Sequence, residues 1–256
     1  MHRKHINVLL FLTLSFVVLA LPMGLLFWFL GQPVAARSYN PQGPGDSYLA
    51  LGDSLAWGAS LDDPATQSYP ALIYAELNAM RPIDADNLAV PGETSSSFLR
   101  RQLPRAITLI EAERAAGRLV SPITLDIGGN DLRAAERASP EERAAVVAAA
   151  RQNIAVALDQ LREAAGDAAD IAVMTYYNPY GGETNIVNSE AYWVDQLNQA
   201  IRAEAAQRGV AVADAFTPFE GGRAFSYTYI LLGDIHANAQ GHRVIADQFL
   251  AALAYE

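Results

Sequence analysis

The sequence predicts a single α/β domain built on a five-stranded parallel sheet with helices on both faces. Two observations predict it. Five short apolar runs recur along the chain, each followed by a helical pattern. The runs are also continuously apolar rather than alternating, as in strands buried on both faces. Length and composition agree: 256 residues, 51% hydrophobic and 18% charged, are enough for one sizeable core.

The elements follow in order. Tyr48–Leu51 reads as the first strand, stopped by Gly52, and a helix is expected around Tyr69–Met80. Asn87–Val90 reads as the second strand, ended by Pro91-Gly92. Ser97–Ala116 follows as a helix interrupted by Pro104. Ile123–Ile127 is the third strand, ended by Gly128-Gly129. Ser139-Pro140-Glu141-Glu142 then carries an N-cap residue, Pro at the first helical position and acids in the first turn. The helix it opens places Val147, Ile154, Leu158 and Leu161 on one face. Ile171–Met174 is the fourth strand, and Asn188 or Ser189 caps a helix that Gly209 ends. Val210–Val212 is the fifth strand, and a last helix spans about Ala239–Ala254.

Residues 1–30 stand apart. A short basic start is followed by Val8–Leu30, 23 residues without a charge, long enough to span a bilayer as a helix. Arg3 and Lys4 precede it, which orients the rest of the chain to the far side of the membrane. The segment is expected to be a transmembrane anchor, or a signal segment cleaved near Val34-Ala35-Ala36. Residues 31–46 are rich in Pro and Gly and read as a linker, leaving 47–256 as the domain.

Composition removes several chemistries. The chain has no cysteine, hence no disulfide, thiol nucleophile, iron–sulfur cluster or Cys-ligated zinc. Its only lysine is Lys4, so lysine Schiff-base chemistry in the domain is excluded. The net charge is −10, which argues against nucleic acid as a partner. A histidine in the domain must be His236 or His242.

In open parallel sheets, ligands sit beyond the carboxyl ends of the strands. The first strand is followed by Gly52-Asp53-Ser54-Leu55, the second by Pro91-Gly92-Glu93-Thr94, and the third by Gly128-Gly129-Asn130-Asp131. Gly233-Asp234-Ile235-His236 precedes the last helix. A serine, a glycine, an asparagine and a histidine are thus expected at one end of the sheet. That set suits acyl transfer: a serine needs a base to take its proton, and the resulting oxyanion needs fixed donors. The Ser54 and Gly92 N–H groups and the Asn130 amide are candidate donors.

These four blocks, in this order over residues 47–256, resemble the SGNH, or GDSL, hydrolase family. The resemblance implies a flavodoxin-like three-layer α/β/α sandwich and hydrolysis of lipid, aryl or sugar esters without metal or organic cofactor. It implies Ser54 as nucleophile, Gly92 and Asn130 as oxyanion-hole donors with the Ser54 N–H, and His236 as base. The family's final block usually places Asp three residues before His and Pro after it. Here Gly233 holds that position, the acid Asp234 is only two residues before His236, and Ala237 replaces the proline. Either Asp234 or a backbone carbonyl orients the imidazole.

Asp53 is expected to bind loop amides, Asp131 to brace a loop or cap a helix, and His242 to be structural. Trp57, Tyr176, Tyr177 and Tyr180 are candidates for an acyl or alcohol pocket. Acyl transfer to an alcohol or sugar would use the same serine. Two other classes remain: a metal-dependent phosphoesterase using Asp53, Asp131, Asp234 and His236, and a non-catalytic, membrane-tethered binding module.

Overall fold

A computed structural model describes residues 36–255. Strand β1 (Ser47–Gly52) is flanked by β2 (Asp84–Asn87) and β3 (Val120–Asp126), and the sheet continues through β4 (Ile171–Thr175) to β5 (Ala211–Asp214). All five strands are parallel, in the order β2-β1-β3-β4-β5, the flavodoxin-like order with its switch point between β1 and β3. The central strands are apolar because both their faces are covered: Leu49, Leu51, Ile123, Leu125, Ile171 and Val173 are fully buried.

The first turns after β1 are α1 (Ser54–Trp57) and α2 (Pro64–Gln67), followed by α3 (Tyr69–Met80). Helix α4 (Ser95–Ala115) follows β2, and α5 (Gly129–Ala134) and α6 (Pro140–Ala165) follow β3. Helix α7 (Glu190–Arg208) follows β4, and α8 (Ala224–Tyr227) and α9 (Ala239–Leu253) close the chain. Helices α3 and α9 pack together on one side of the sheet, and α4, α6 and α7 form a continuous layer on the other.

Local chemistry explains the boundaries. The Ser139 side chain accepts from Glu142 N–H while Glu142 reaches back, a capping box that opens α6. Ser189 caps α7, and Gly209 ends it in the left-handed conformation.

Two elements differ from the sequence reading. Strand β2 is the polar stretch Asp84–Asn87, exposed at the sheet edge, instead of the apolar Asn87–Val90. An edge strand needs no apolar face. The apolar run extends the same pairing, with Leu88 N donating to Ala50 O and Val90 N to Gly52 O. Helix α4 runs through Pro104 without interruption. Proline withholds one helical hydrogen bond, but Phe98, Leu103, Ala106 and Ile110 on the buried face hold the two halves in one line.

The expected transmembrane or signal segment, Val8–Leu30, lies outside the described residues; among those, no helix is long and apolar enough to cross a membrane. The end of the expected linker is fastened to the body. Arg37 N donates to Ala206 O, Gln42 N and Gly43 N donate to the buried Asp170 carboxylate, and Gly45 N donates to Ser121 O.

Candidate active site

The carboxyl ends of β1 and β3 meet at the switch point, and the residues that follow them are stitched together by Asp53. This carboxylate is buried. It accepts from Leu55 N (3.0 Å) as the N-cap of α1, from Tyr176 Oη (2.7 Å) and from Asn130 Nδ2 (3.2 Å). Asp53 therefore holds the loop that presents Ser54, as expected for a structural acid. Asn130 Nδ2 also donates to Glu93 O at 3.0 Å, which joins the loop after β3 to the one after β2. The blocks containing Ser54, Gly92 and Asn130 are thus adjacent.

Two glycines in these blocks have specific reasons. Gly92 occupies the third position of a turn closed by Glu93 N donating to Val90 O. With Pro91 before it and φ +77°, this is a type II turn, which requires a left-handed residue there. At Gly52, φ is +145°, and a Cβ would fall 2.3 Å from Asp126 Oδ1. Only glycine lets the Asp126 carboxyl approach β1.

The loop before α9 carries the histidine to the serine. His236 Nε2 lies 2.9 Å from Ser54 Oγ. Its Nδ1 lies 2.5 Å from Asp234 Oδ1, and the same oxygen accepts from the His236 backbone N–H at 3.0 Å. An aspartate that bonds the backbone N–H two residues on is a local turn, and this turn carries the carboxylate to the ring despite the short spacing. Of the two orienting groups considered from sequence, the carboxylate is the one found at Nδ1. Burial pushes the Asp234 carboxyl up, but hydrogen bonds from Ser60 and from the His236 N–H and ring hold it below the usual carboxylate range. Tyr177 Oη donates to Ile235 O at 2.9 Å and pins this loop to the end of β4.

Asp131 accepts from Ser95 N (2.7 Å) and Ser95 Oγ (2.6 Å), so it braces the start of α4. His242 is fully buried, and its Nδ1 accepts from Tyr69 N at 3.1 Å. Asp53, Asp131, Asp234 and His236 do not converge. Among the described residues, no group of three or more His, Asp or Glu side chains is placed to hold a metal ion.

Beside Ser54 and His236 opens a largely apolar pocket. Leu132, Val194, Leu197 and Ile235 line it, together with Tyr176, Tyr177 and Tyr180. Trp57 is not part of this lining and is 54% exposed.

Sequence reasoning missed three supporting groups. Asp126 is fully buried beneath the site, where Asp53 N (3.1 Å) and Tyr69 Oη (2.5 Å) donate to it. Burial and the neighbouring Asp53 charge push its carboxyl well above the ordinary range. An acid inside the apolar run Ile123-Thr124-Leu125-Asp126-Ile127 was the available signal. Gln102 clamps Gly52, accepting from its N–H (2.7 Å) and donating to its carbonyl (2.9 Å). Ser60 touches Asp234, and no local pattern marks it.

Comparison with known proteins gives a consistent result. The model of the GDSL-like Lipase/Acylhydrolase family matches residues 50–244. A search of curated proteins finds no match. Among solved structures, the chain is similar to the acetylxylan esterase Axe2 from Geobacillus stearothermophilus, with 16% identity, a TM-score of 0.64, and 85% of this chain and 98% of that one covered. It is similar to the lipase Lip_vut3 from a goat rumen metagenome, with 21% identity, a TM-score of 0.63, and coverage of 80% and 96%. It is also similar to LAE5, an alpha/beta hydrolase enzyme from the metagenome of Lake Arreo, with 20% identity, a TM-score of 0.61, and coverage of 82% and 96%.

Proposed function

Because this chain belongs to the GDSL-like lipase/acylhydrolase family and is a carboxylic ester hydrolase, we propose that it cleaves esters through Ser54, His236 and Asp234. One observation carries this reading: Ser54 Oγ, His236 Nε2, His236 Nδ1 and Asp234 Oδ1 form an unbroken chain of hydrogen bonds, 2.9 Å and 2.5 Å long.

Ser54 Oγ attacks the ester carbonyl carbon while its proton passes to His236 Nε2. Asp234 holds the ring with Nδ1–H inward and stabilises the imidazolium that forms. The carbonyl oxygen gains the negative charge and takes hydrogen bonds from Ser54 N–H, Gly92 N–H and the Asn130 amide. Collapse expels the alcohol, which takes the proton from His236. A water activated by the same histidine then releases the acid and regenerates Ser54.

The substrate is a small-molecule, lipid or sugar ester whose apolar portion occupies the pocket walled by Leu132, Val194 and Leu197. The net charge of −10 disfavours nucleic acid as a partner, because its phosphates would be repelled. Val8–Leu30 either anchors the enzyme in a membrane, with the domain on the extracytoplasmic side, or directs its export and is removed.

A fluorophosphonate probe tests the catalytic assignment. It is expected to label Ser54 alone, and Ser54→Ala is expected to abolish both labelling and hydrolysis of a panel of 4-nitrophenyl esters. Near-normal hydrolysis by Ser54→Ala would overturn the assignment.

A further inference from the structure

Ser60 lies six residues beyond Ser54, at the end of the turn that begins with the proposed nucleophile. Its Oγ is 2.5 Å from Asp234 Oδ2 and 3.5 Å from His236 Nδ1. We propose that Ser60 is a positioning residue for ester hydrolysis: its hydroxyl holds the Asp234 carboxylate so that the other oxygen faces the His236 ring. This rests on the reading of Ser54, His236 and Asp234 as the catalytic set.

The first argument is the state of Asp234. Its Oδ1 is occupied twice, by the His236 N–H and by the ring. Its Oδ2 has Ser60 as its hydrogen-bond partner among the described residues, and the side chain is 35% exposed. Among the described residues, no arginine or lysine pairs with it. An ionised carboxylate only accepts, so the Ser60 hydrogen must point at Oδ2. A hydroxyl donating to an ionised carboxylate makes a charge-assisted bond, stronger than one between neutral groups. Without it, only the two bonds at Oδ1 would hold the carboxylate, and Oδ2 would be left to water.

The second argument is the backbone. Ser60 has φ +67°, in the left-handed region that glycine tolerates and serine does not favour. Gly58 in the same turn has φ +82° and is a glycine. At Gly58 a Cβ would also lie 2.9 Å from Ser68 Cβ, so glycine is needed there, whereas Ser60 keeps a side chain that meets the acid despite its positive φ. Gly58 N and Ala59 N both donate to Ser54 O, which ties the segment leading to Ser60 to the residue that bears the nucleophile. One short turn thus sets the position of the serine at its start and of the acid at its end.

The test uses the full-length chain, with 4-nitrophenyl acetate as substrate. Ser60→Gly removes the hydroxyl and relieves the positive φ, so its Tm is expected to equal or exceed that of the parent. Its kcat is expected to fall about 10-fold, the effect of one charge-assisted hydrogen bond on the barrier, with KM within about 2-fold. Ser60→Ala is expected to lose the same factor. In an Asp234→Ala background, where no carboxylate is left to hold, Ser60→Gly is expected to change kcat less than about 2-fold. An unchanged kcat in Ser60→Gly, or an equal loss in both backgrounds, would overturn the proposal. Ser54→Ala, assayed alongside, separates the two levels. If it is inactive while Ser60→Gly is fully active, only the role of Ser60 falls; if it is active, the catalytic set itself falls.

Discussion

Asp234 Oδ1 lies 2.5 Å from His236 Nδ1 although a single residue, Ile235, separates the two in the chain. The contact is possible because the same oxygen accepts the His236 backbone N–H, closing a turn that folds the carboxylate back along the ring. The expected three-residue spacing is therefore not needed to reach Nδ1.

That geometry sets the first prediction. His236→Ala is expected to be nearly inactive. Asp234→Asn is expected to approach it, with kcat falling by roughly 10³- to 10⁴-fold, because the amide leaves the imidazole in the wrong tautomer. Steady-state kinetics on a 4-nitrophenyl ester decide the point. A loss below about 10-fold would assign the orienting role elsewhere.

Burial lowers the His242 pKa to about 4, so the folded protein holds this ring neutral. An unfolded histidine takes up its proton near pH 6.5. The folded pKa is thus the depressed one. The stability tied to His242 is complete above about pH 6.5 and is lost as the pH falls toward 4, by on the order of 3 kcal/mol. His242→Asn keeps an acceptor for Tyr69 N but does not titrate. Its stability is expected to fall less than the parent's between pH 6.5 and 4 in urea titrations, and parallel curves would remove His242 from the account.

Gly52→Ala places a Cβ 2.3 Å from Asp126 Oδ1 at a φ of +145°. Overpacking and backbone strain together are expected to cost about 3 kcal/mol or more. For a domain of this size that lowers Tm by roughly 6–12 °C, measurable by calorimetry. A Tm within 2 °C of the parent would mean that the strand ends part more easily than their packing implies.

Topology is tested on intact cells, or on spheroplasts where an outer membrane is present. Added protease is expected to degrade the domain, since Arg3 and Lys4 precede the apolar segment Val8–Leu30. Full protection would place the domain in the cytosol. The mass of the mature N-terminus distinguishes a retained anchor from a signal cleaved near Ala36.

Local patterns suffice for the α/β class, the positions of the main helices, and the blocks holding Ser54, Gly92, Asn130 and His236. These are written in local patterns: continuous apolar runs for strands buried on both faces, Ser139 and Ser189 as caps, Gly209 as a stop, and loop residues directly after strands. Tertiary structure alone decided which groups meet. Strand β2 is polar because it lies at an edge, and α4 continues through Pro104 because its flanks pack on the core. Asp234 reaches His236 through a turn that its spacing does not announce. Ser60 meets Asp234 across 174 residues, and Asp126 meets Tyr69 across 57. A pattern in sequence records the periodicity of one element against one environment. A hydrogen bond between distant loops depends on how several elements stack, and leaves no period to read.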